Sequence, residues 1–205
     1  MRLFWIVAGV MVLDQATKLI VRLNMDMGHL GAIDLVGDWL KFTYTENSGM
    51  AFGITFGPAG LITIFSLLAA AMITVYMYRV RTGYLPYTVS LACILGGALG
   101  NIIDRLFYGM VFDYAPFFQG RVVDFIHFDI WQGQLPSFLP LIGDVNLALF
   151  PIFNVADIGI VGGVIGILVF QKKFLAGVTA EQSPEEPANP ESLGSPIQDS
   201  HPVPE

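Results

Sequence analysis

Charge is what this chain has least of. Only 13% of its 205 residues are Asp, Glu, Lys or Arg, against about 25% in soluble domains. With 54% hydrophobic residues and a mean hydropathy of +0.63, the deficit points to a membrane protein. Cysteine is nearly absent too. The lone Cys93 sits in an apolar run, which excludes a disulfide framework and a CxxC metal site; it reads as a buried, inert thiol. No Lys/Arg cluster or basic stripe suggests a nucleic acid partner. Net charge is −7, but six of the seventeen acids (Glu181, Glu185, Glu186, Glu191, Asp199, Glu205) lie in the last 25 residues. The rest of the chain is close to neutral, so the charge says nothing about an acidic partner. There are no internal repeats, no Gly-x-Ser-x-Gly elbow and no HExxH or comparable metal-ligand spacing. His127 and Asp129 invite a metal reading without such spacing, and His29 reads as a solvated loop residue. No metal and no other cofactor is expected.

What is present is four long apolar stretches, 3–23, 61–78, 85–103 and 154–174. Each is long enough to cross a hydrocarbon core about 30 Å thick, which takes about 20 helical residues. The first is apolar through Leu13 and is then interrupted by DQATK. The third ends at Asp104 and Arg105, and the fourth is bounded by Lys172 and Lys173. Arg2 followed by an apolar run resembles a signal peptide. However, no small-x-small cleavage site follows and the segment stays apolar beyond Lys18, so an uncleaved span is expected. Arg2, Arg79, Arg81, Lys172 and Lys173 flank one side, where connections are short. That density places both termini in the cytoplasm, with 24–60 and 104–153 outside. Residues 39–56, WLKFTYTENSGMAFGITF, alternate and are rich in Thr, Tyr and Phe, as in short strands around an Asn-Ser-Gly turn. Residues 104–153 mix aromatics with Gly and Pro, as expected of an interfacial segment. The membrane-embedded domain is thus 1–175. The tail, 176–205, is rich in Pro, Ser and Glu and is expected to be disordered.

Polar groups inside such spans are expensive and each calls for a reason. Asp14 and Lys18 are four apart with the acid first, the favourable order for a helical ion pair; mutual neutralisation and substrate contact are both open readings. In ILGGALGNIIDRL, residues 94–106, Gly96 and Gly100 form a small-xxx-small pair that lets another helix come close. Gly97, Asn101 and Arg105 form a neighbouring row. Snorkelling accounts for the arginine, but a buried Asn101 needs hydrogen-bond partners. In RVVDFIHFD, residues 121–129, Asp124 is flanked by Val122, Val123, Phe125 and Ile126. In FNVADIG, residues 153–159, Asn154 and Asp157 have the spacing of a helix cap, and the same geometry puts Asp157 at the outer membrane boundary, facing what 104–153 brings. That segment brings Asp124.

Two neighbouring carboxyls, one ionised and one protonated, are the water-activating device of aspartic proteases. No competing nucleophile is present. A small ion-coupled transporter or a non-catalytic membrane scaffold remains an alternative. A transporter would normally show repeats and broken helices near the midplane, and a scaffold leaves Asp124 without a reason.

DQATK (14–18), ENSGMAFG (46–53), GGALGNIIDRL (96–106), VVDFI (122–126) and FNVAD (153–157), in that order between four spans, resemble bacterial lipoprotein signal peptidase, the signal peptidase II family. The resemblance covers residues 3 to about 174 and implies an all-α integral membrane protein of the bacterial inner membrane. Its four transmembrane helices would carry a small extracytoplasmic β-cradle and an interfacial helix. It implies an aspartic endopeptidase that cuts the signal peptide from prolipoproteins before their diacylglyceryl-modified cysteine. By the same resemblance the catalytic pair is Asp124 and Asp157, and Asp14, Lys18, Asn47, Asn101, Arg105 and Asn154 bind substrate or support the site. The partners are then the diacylglyceryl-prolipoprotein and membrane lipid, with no metal. The stretch between Phe128 and Phe150 is longer than the family pattern, and the tail falls outside it. Asp157, in a first helical turn, feels the positive end of the helix dipole. Asp124 lacks that advantage and is expected to hold the shared proton.

Overall fold

The computed structural model describes residues 1–49, 60–130, 132–134, 146–148 and 150–182. Long apolar runs without interior proline form the helices: α1 Arg2–Asn24, α2 Leu61–Arg79, α3 Leu85–Val111 and α4 Val155–Gln182. All four are long and apolar enough to cross a membrane, and α4 runs past the expected end of the last span to Gln182. Residues 183–205, most of the expected tail, lie outside the described residues.

Helix α3 is the centre. In its most apolar stretch 56% of residues are buried, against 11% in α2, so α3 packs on protein while α2 offers Ile64, Phe65, Leu68, Met72 and Val75 to lipid. The glycines make this possible. A Cβ on Gly96 would press on Val7 and Val10 of α1, and one on Gly97 would overlap the Ala156 carbonyl oxygen of α4. The two rows expected on α3 therefore seat two different helices, and close backbone approach is their common purpose.

Helix α3 does not stop at Asp104 as the charge pair suggested. It passes through a π-helical turn, Asp104–Tyr108, and continues to Val111. Such a turn re-aims side chains by shifting the backbone register, and here Asp104 ends fully buried. The acid that marked a boundary in sequence thus points inward. Cys93 is free and only half-buried, less enclosed than expected.

Three antiparallel strands cap one end of the helices in the order β1 Ile33–Val36, β2 Leu40–Asn47, β3 Val122–Phe128. The expected strand in 39–56 is β2, and its turn is stabilised by the Gly49 N–H donating to Asn47 Oδ1 at 2.7 Å. Residues 50–59 lie outside the described residues. Thr45 pairs with Asp124 and Asn47 with Val122. On the other edge of β3, Phe153 exchanges backbone hydrogen bonds with Ile126 at 2.8 and 3.0 Å, which brings Asn154 and the start of α4 beneath Asp124. Val21, Tyr44, Tyr108, Val123 and Phe125 pack together and fasten the sheet to α1 and α3. Within the long stretch after Phe128, β4 Gln132–Gln134 pairs antiparallel with β5 Asn146–Ala148.

Candidate active site

The site forms where β3, the first turn of α4 and the inner faces of α1 and α3 meet. Asn154 joins its two acids. As the cap of α4 it accepts the Asp157 N–H on Oδ1 at 3.0 Å, while Asp157 Oδ2 accepts the Asn154 N–H at 3.1 Å. This reciprocal arrangement is a capping box with an aspartate in place of the usual glutamate. The Nδ2 of the same Asn154 donates to Asp124 Oδ1 at 2.6 Å and to Asn101 Oδ1 at 3.2 Å. The helix cap expected of FNVAD is present, and its asparagine also reaches Asp124.

Asn101 is the second junction. Its Oδ1 accepts Lys18 Nζ at 2.8 Å, and its Nδ2 donates to Asp157 Oδ1 at 3.0 Å. Because an ammonium only donates, Lys18 fixes which end of the amide is which. The buried asparagine thus has the partners its position demanded. Lys18 also sits 2.8 Å from Asp14 Oδ2, and all three of Asp14, Lys18 and Asp104 have no exposed side-chain surface. Asn47 hydrogen-bonds Asp124 from the end of β2, and the Arg105 guanidinium lies within electrostatic reach of Asp124 and Asp157.

Asp124 is 3% exposed. Burial, followed by the nearby charge of Asp157, raises its pKa to about 7, against the hydrogen bonds from Asn154 and Asn47 and the charge of Lys18. A carboxyl so perturbed keeps a substantial protonated fraction near neutrality. It lines a groove of about 320 Å³ together with Thr45, Glu46, Asn47, Ser48, Pro151 and Ile152. The groove is open to the surface.

All eight residues singled out in the sequence lie in or beside this cluster. Three more belong to it. Asp104 Oδ2 is 2.8 Å from Lys18 Nζ, and Gln15 Nε2 donates to Asp104 Oδ1 at 2.7 Å. Tyr108 donates to Gln15 Oε1 at 3.1 Å. Their signal was adjacency and spacing: Gln15 follows Asp14, and Asp104 and Tyr108 continue the helical steps from Gly97 and Asn101. Elsewhere, His127 is buried with Nδ1 3.1 Å from Thr43 Oγ1, and burial lowers its pKa. His29 is exposed, its ring 6.0 Å from that of His127. Among the described residues no three His, Cys, Asp or Glu side chains converge as a metal site would require.

Comparison with known proteins gives concordant findings. A family model described as Signal peptidase (SPase) II matches residues 6–173. The lipoprotein signal peptidase of Amoebophilus asiaticus is 41% identical, over 79% of this chain and 73% of its own. That of Chlorobium phaeobacteroides strain BS1 is 35% identical, over 85% of this chain and 98% of its own. A solved structure described as a bacterial membrane enzyme, at 1.9 Å resolution, superposes with a TM-score of 0.58 at 28% identity, covering 82% of this chain and 90% of that one. A second, at 2.3 Å resolution, gives 0.59 at 27% identity, covering 90% and 93%.

Proposed function

The chain belongs to the signal peptidase II family of aspartic-type membrane peptidases, and we propose that Asp124 and Asp157 are the dyad that activates its water. The observation that carries this is the pair's unequal environment around one shared asparagine. Asp157 accepts hydrogen bonds on both oxygens, from Asn101 Nδ2 and the Asn154 N–H, and lies in a first helical turn, where the dipole favours an anion. Asp124 is buried, with a pKa near 7, and offers the proton.

In this reading Asp157 takes a proton from water as the water oxygen attacks the scissile carbonyl carbon. Asp124 gives its proton to the carbonyl oxygen, so a neutral gem-diol forms without a covalent enzyme intermediate. Collapse breaks the C–N bond, a gem-diol hydroxyl returns its proton to Asp124, and Asp157 delivers the other to the leaving amine. The dyad ends in its starting state. Asn47 and Arg105 flank the reacting atoms and stabilise charge that develops away from bulk water.

The substrates are prolipoproteins cut before a diacylglyceryl-modified cysteine, the family's reaction. The exposed apolar faces of the helices suit a signal helix and its lipid, and the dyad lies at the end of the spans that a signal helix presents on the outer face. The basic residues Arg2, Arg79, Arg81, Lys172 and Lys173 lie at the opposite end, which favours cytoplasmic termini and an extracytoplasmic site. Reconstitution with a diacylglyceryl-modified prolipoprotein, read by the mass of the products, tests the assignment. Asp124→Asn and Asp157→Asn are expected to insert and fold but to lose nearly all cleavage; turnover near wild type by either rejects the dyad.

A further inference from the structure

The two acids of the dyad arrive from distant points of the chain, one on β3 and one on α4. Their spacing must be fixed by something other than their own contact. The Lys18 ammonium lies 2.8 Å from each of three acceptors, Asp14 Oδ2, Asp104 Oδ2 and Asn101 Oδ1, which matches its three N–H donors. Asp14 Oδ1 accepts the N–H of Ala156 at 2.9 Å, the residue just before Asp157. Asp104 Oδ2 accepts the N–H of Val123 at 3.3 Å, the residue just before Asp124. Gln15 Nε2 braces the two carboxylates, 3.3 Å from Asp14 Oδ2 and 2.7 Å from Asp104 Oδ1. Gly100 leaves room for this, because a Cβ there would overlap Asp14 Oδ2.

We propose that Lys18 is the hub of a clamp: Asp14 and Asp104 grip the backbone one residue ahead of each member of the dyad and set the distance between them. Asp104 is thereby a positioning residue for the reaction. The clamp rests on the dyad reading above. It explains why a sealed cluster of two acids and one cation survives in an apolar core. A purely structural ion cluster has no need to address the residue ahead of each reactive acid. The arrangement does so twice, from two helices. The third arm, Asn101, reaches Asp157 Oδ1 itself, so displacing Lys18 disturbs a reactive oxygen as well as the backbone.

Displacing a reactive group by about 1 Å can cost on the order of 10²-fold in rate. The Asp104→Asn variant of the full chain, in lipid nanodiscs with a diacylglyceryl-prolipoprotein, is therefore expected to lose about 100-fold in kcat, with KM within about twofold. The basic limb of its kcat–pH profile is also expected to move. A second variant, Lys18→Met with Asp104→Asn, removes one cation and one anion together and leaves the buried net charge unchanged. Its thermal midpoint is expected to recover relative to Lys18→Met alone, which leaves two buried carboxylates without a cation, while kcat stays low. The clamp is overturned by wild-type kcat and pH profile in folded Asp104→Asn, or by recovery of kcat together with the thermal midpoint in the double variant. Failure of both variants to fold assigns Asp104 to folding alone and overturns it equally. Asp124→Asn assayed alongside separates the two levels: if it is inactive while Asp104→Asn behaves as wild type, the clamp falls and the dyad stands. If Asp124→Asn cleaves near the wild-type rate, the dyad itself falls.

Discussion

Asp14 and Asp104 meet across a lysine, whereas Asp124 and Asp157 meet across an asparagine. In the first pair the ammonium of Lys18 supplies a full charge to both acids, and no side-chain surface of the three is exposed. Every oxygen there receives a donor, and nothing is left to react. In the second pair the Asn154 amide supplies only dipoles, so repulsion between the acids persists and adds to burial in raising Asp124 to about 7. A groove reaches Asp124 of that pair. Four carboxyls of one residue type thus divide into a sealed pair and the pair proposed as the dyad. The neighbour placed between each two decides which.

The largest expected effect is on the proposed dyad: Asp124→Asn or Asp157→Asn lowers turnover by about 10²–10⁴-fold, as loss of a general acid or base does, read by product mass. For the sealed pair the first loss is stability. Lys18→Met leaves two buried carboxylates facing each other, and removing one partner of such a group destabilises by about 3–5 kcal/mol, measurable by unfolding in detergent.

Asp124 predicts a third, subtler effect. Its folded pKa lies above its unfolded value of 3.8, so between those limits the folded state binds more protons than the unfolded one. Stability from this group is fully present at low pH and falls as pH rises towards 7, by about 1.4 kcal/mol per unit at most. Asp124→Asn removes the titration, so thermal midpoints measured from pH 5 to pH 8 should fall less in the variant than in the wild type. The smallest effect is expected at Arg121, whose half-exposed side chain is 3.5 Å from Glu46. Arg121→Ala should change stability by no more than about 1 kcal/mol, measured in the same unfolding experiment.

The same contrast explains what the sequence made legible. The spans were readable because apolar runs of membrane length have few other uses, and Asp124 and Asp157 stood out as acids in apolar company. Asn101 and Asn154 could be singled out for the same reason. Asp104 could not. Beside Arg105, at the end of an apolar run, it has the look of a boundary, and the π turn that carries it inward leaves no mark in a 3.6-residue periodicity. Gln15 was hidden by standing between two charged residues that drew the attention. The pairing of β3 with β2 and with Phe153, which brings Asp124 over Asn154, depends on tertiary register that alternation alone does not specify. The ribbon of Gln132–Gln134 with Asn146–Ala148 was equally out of reach, since neither half has the length or pattern of a strand.

Carboxyl ¹³C titration of aspartate-labelled protein in nanodiscs measures the proton of the reactive pair directly. One aspartate signal is expected to remain protonated at pH 6, to titrate near pH 7 and to vanish in Asp124→Asn. A spectrum with no protonated aspartate at pH 6, or one whose protonated signal survives in Asp124→Asn, would contradict the account.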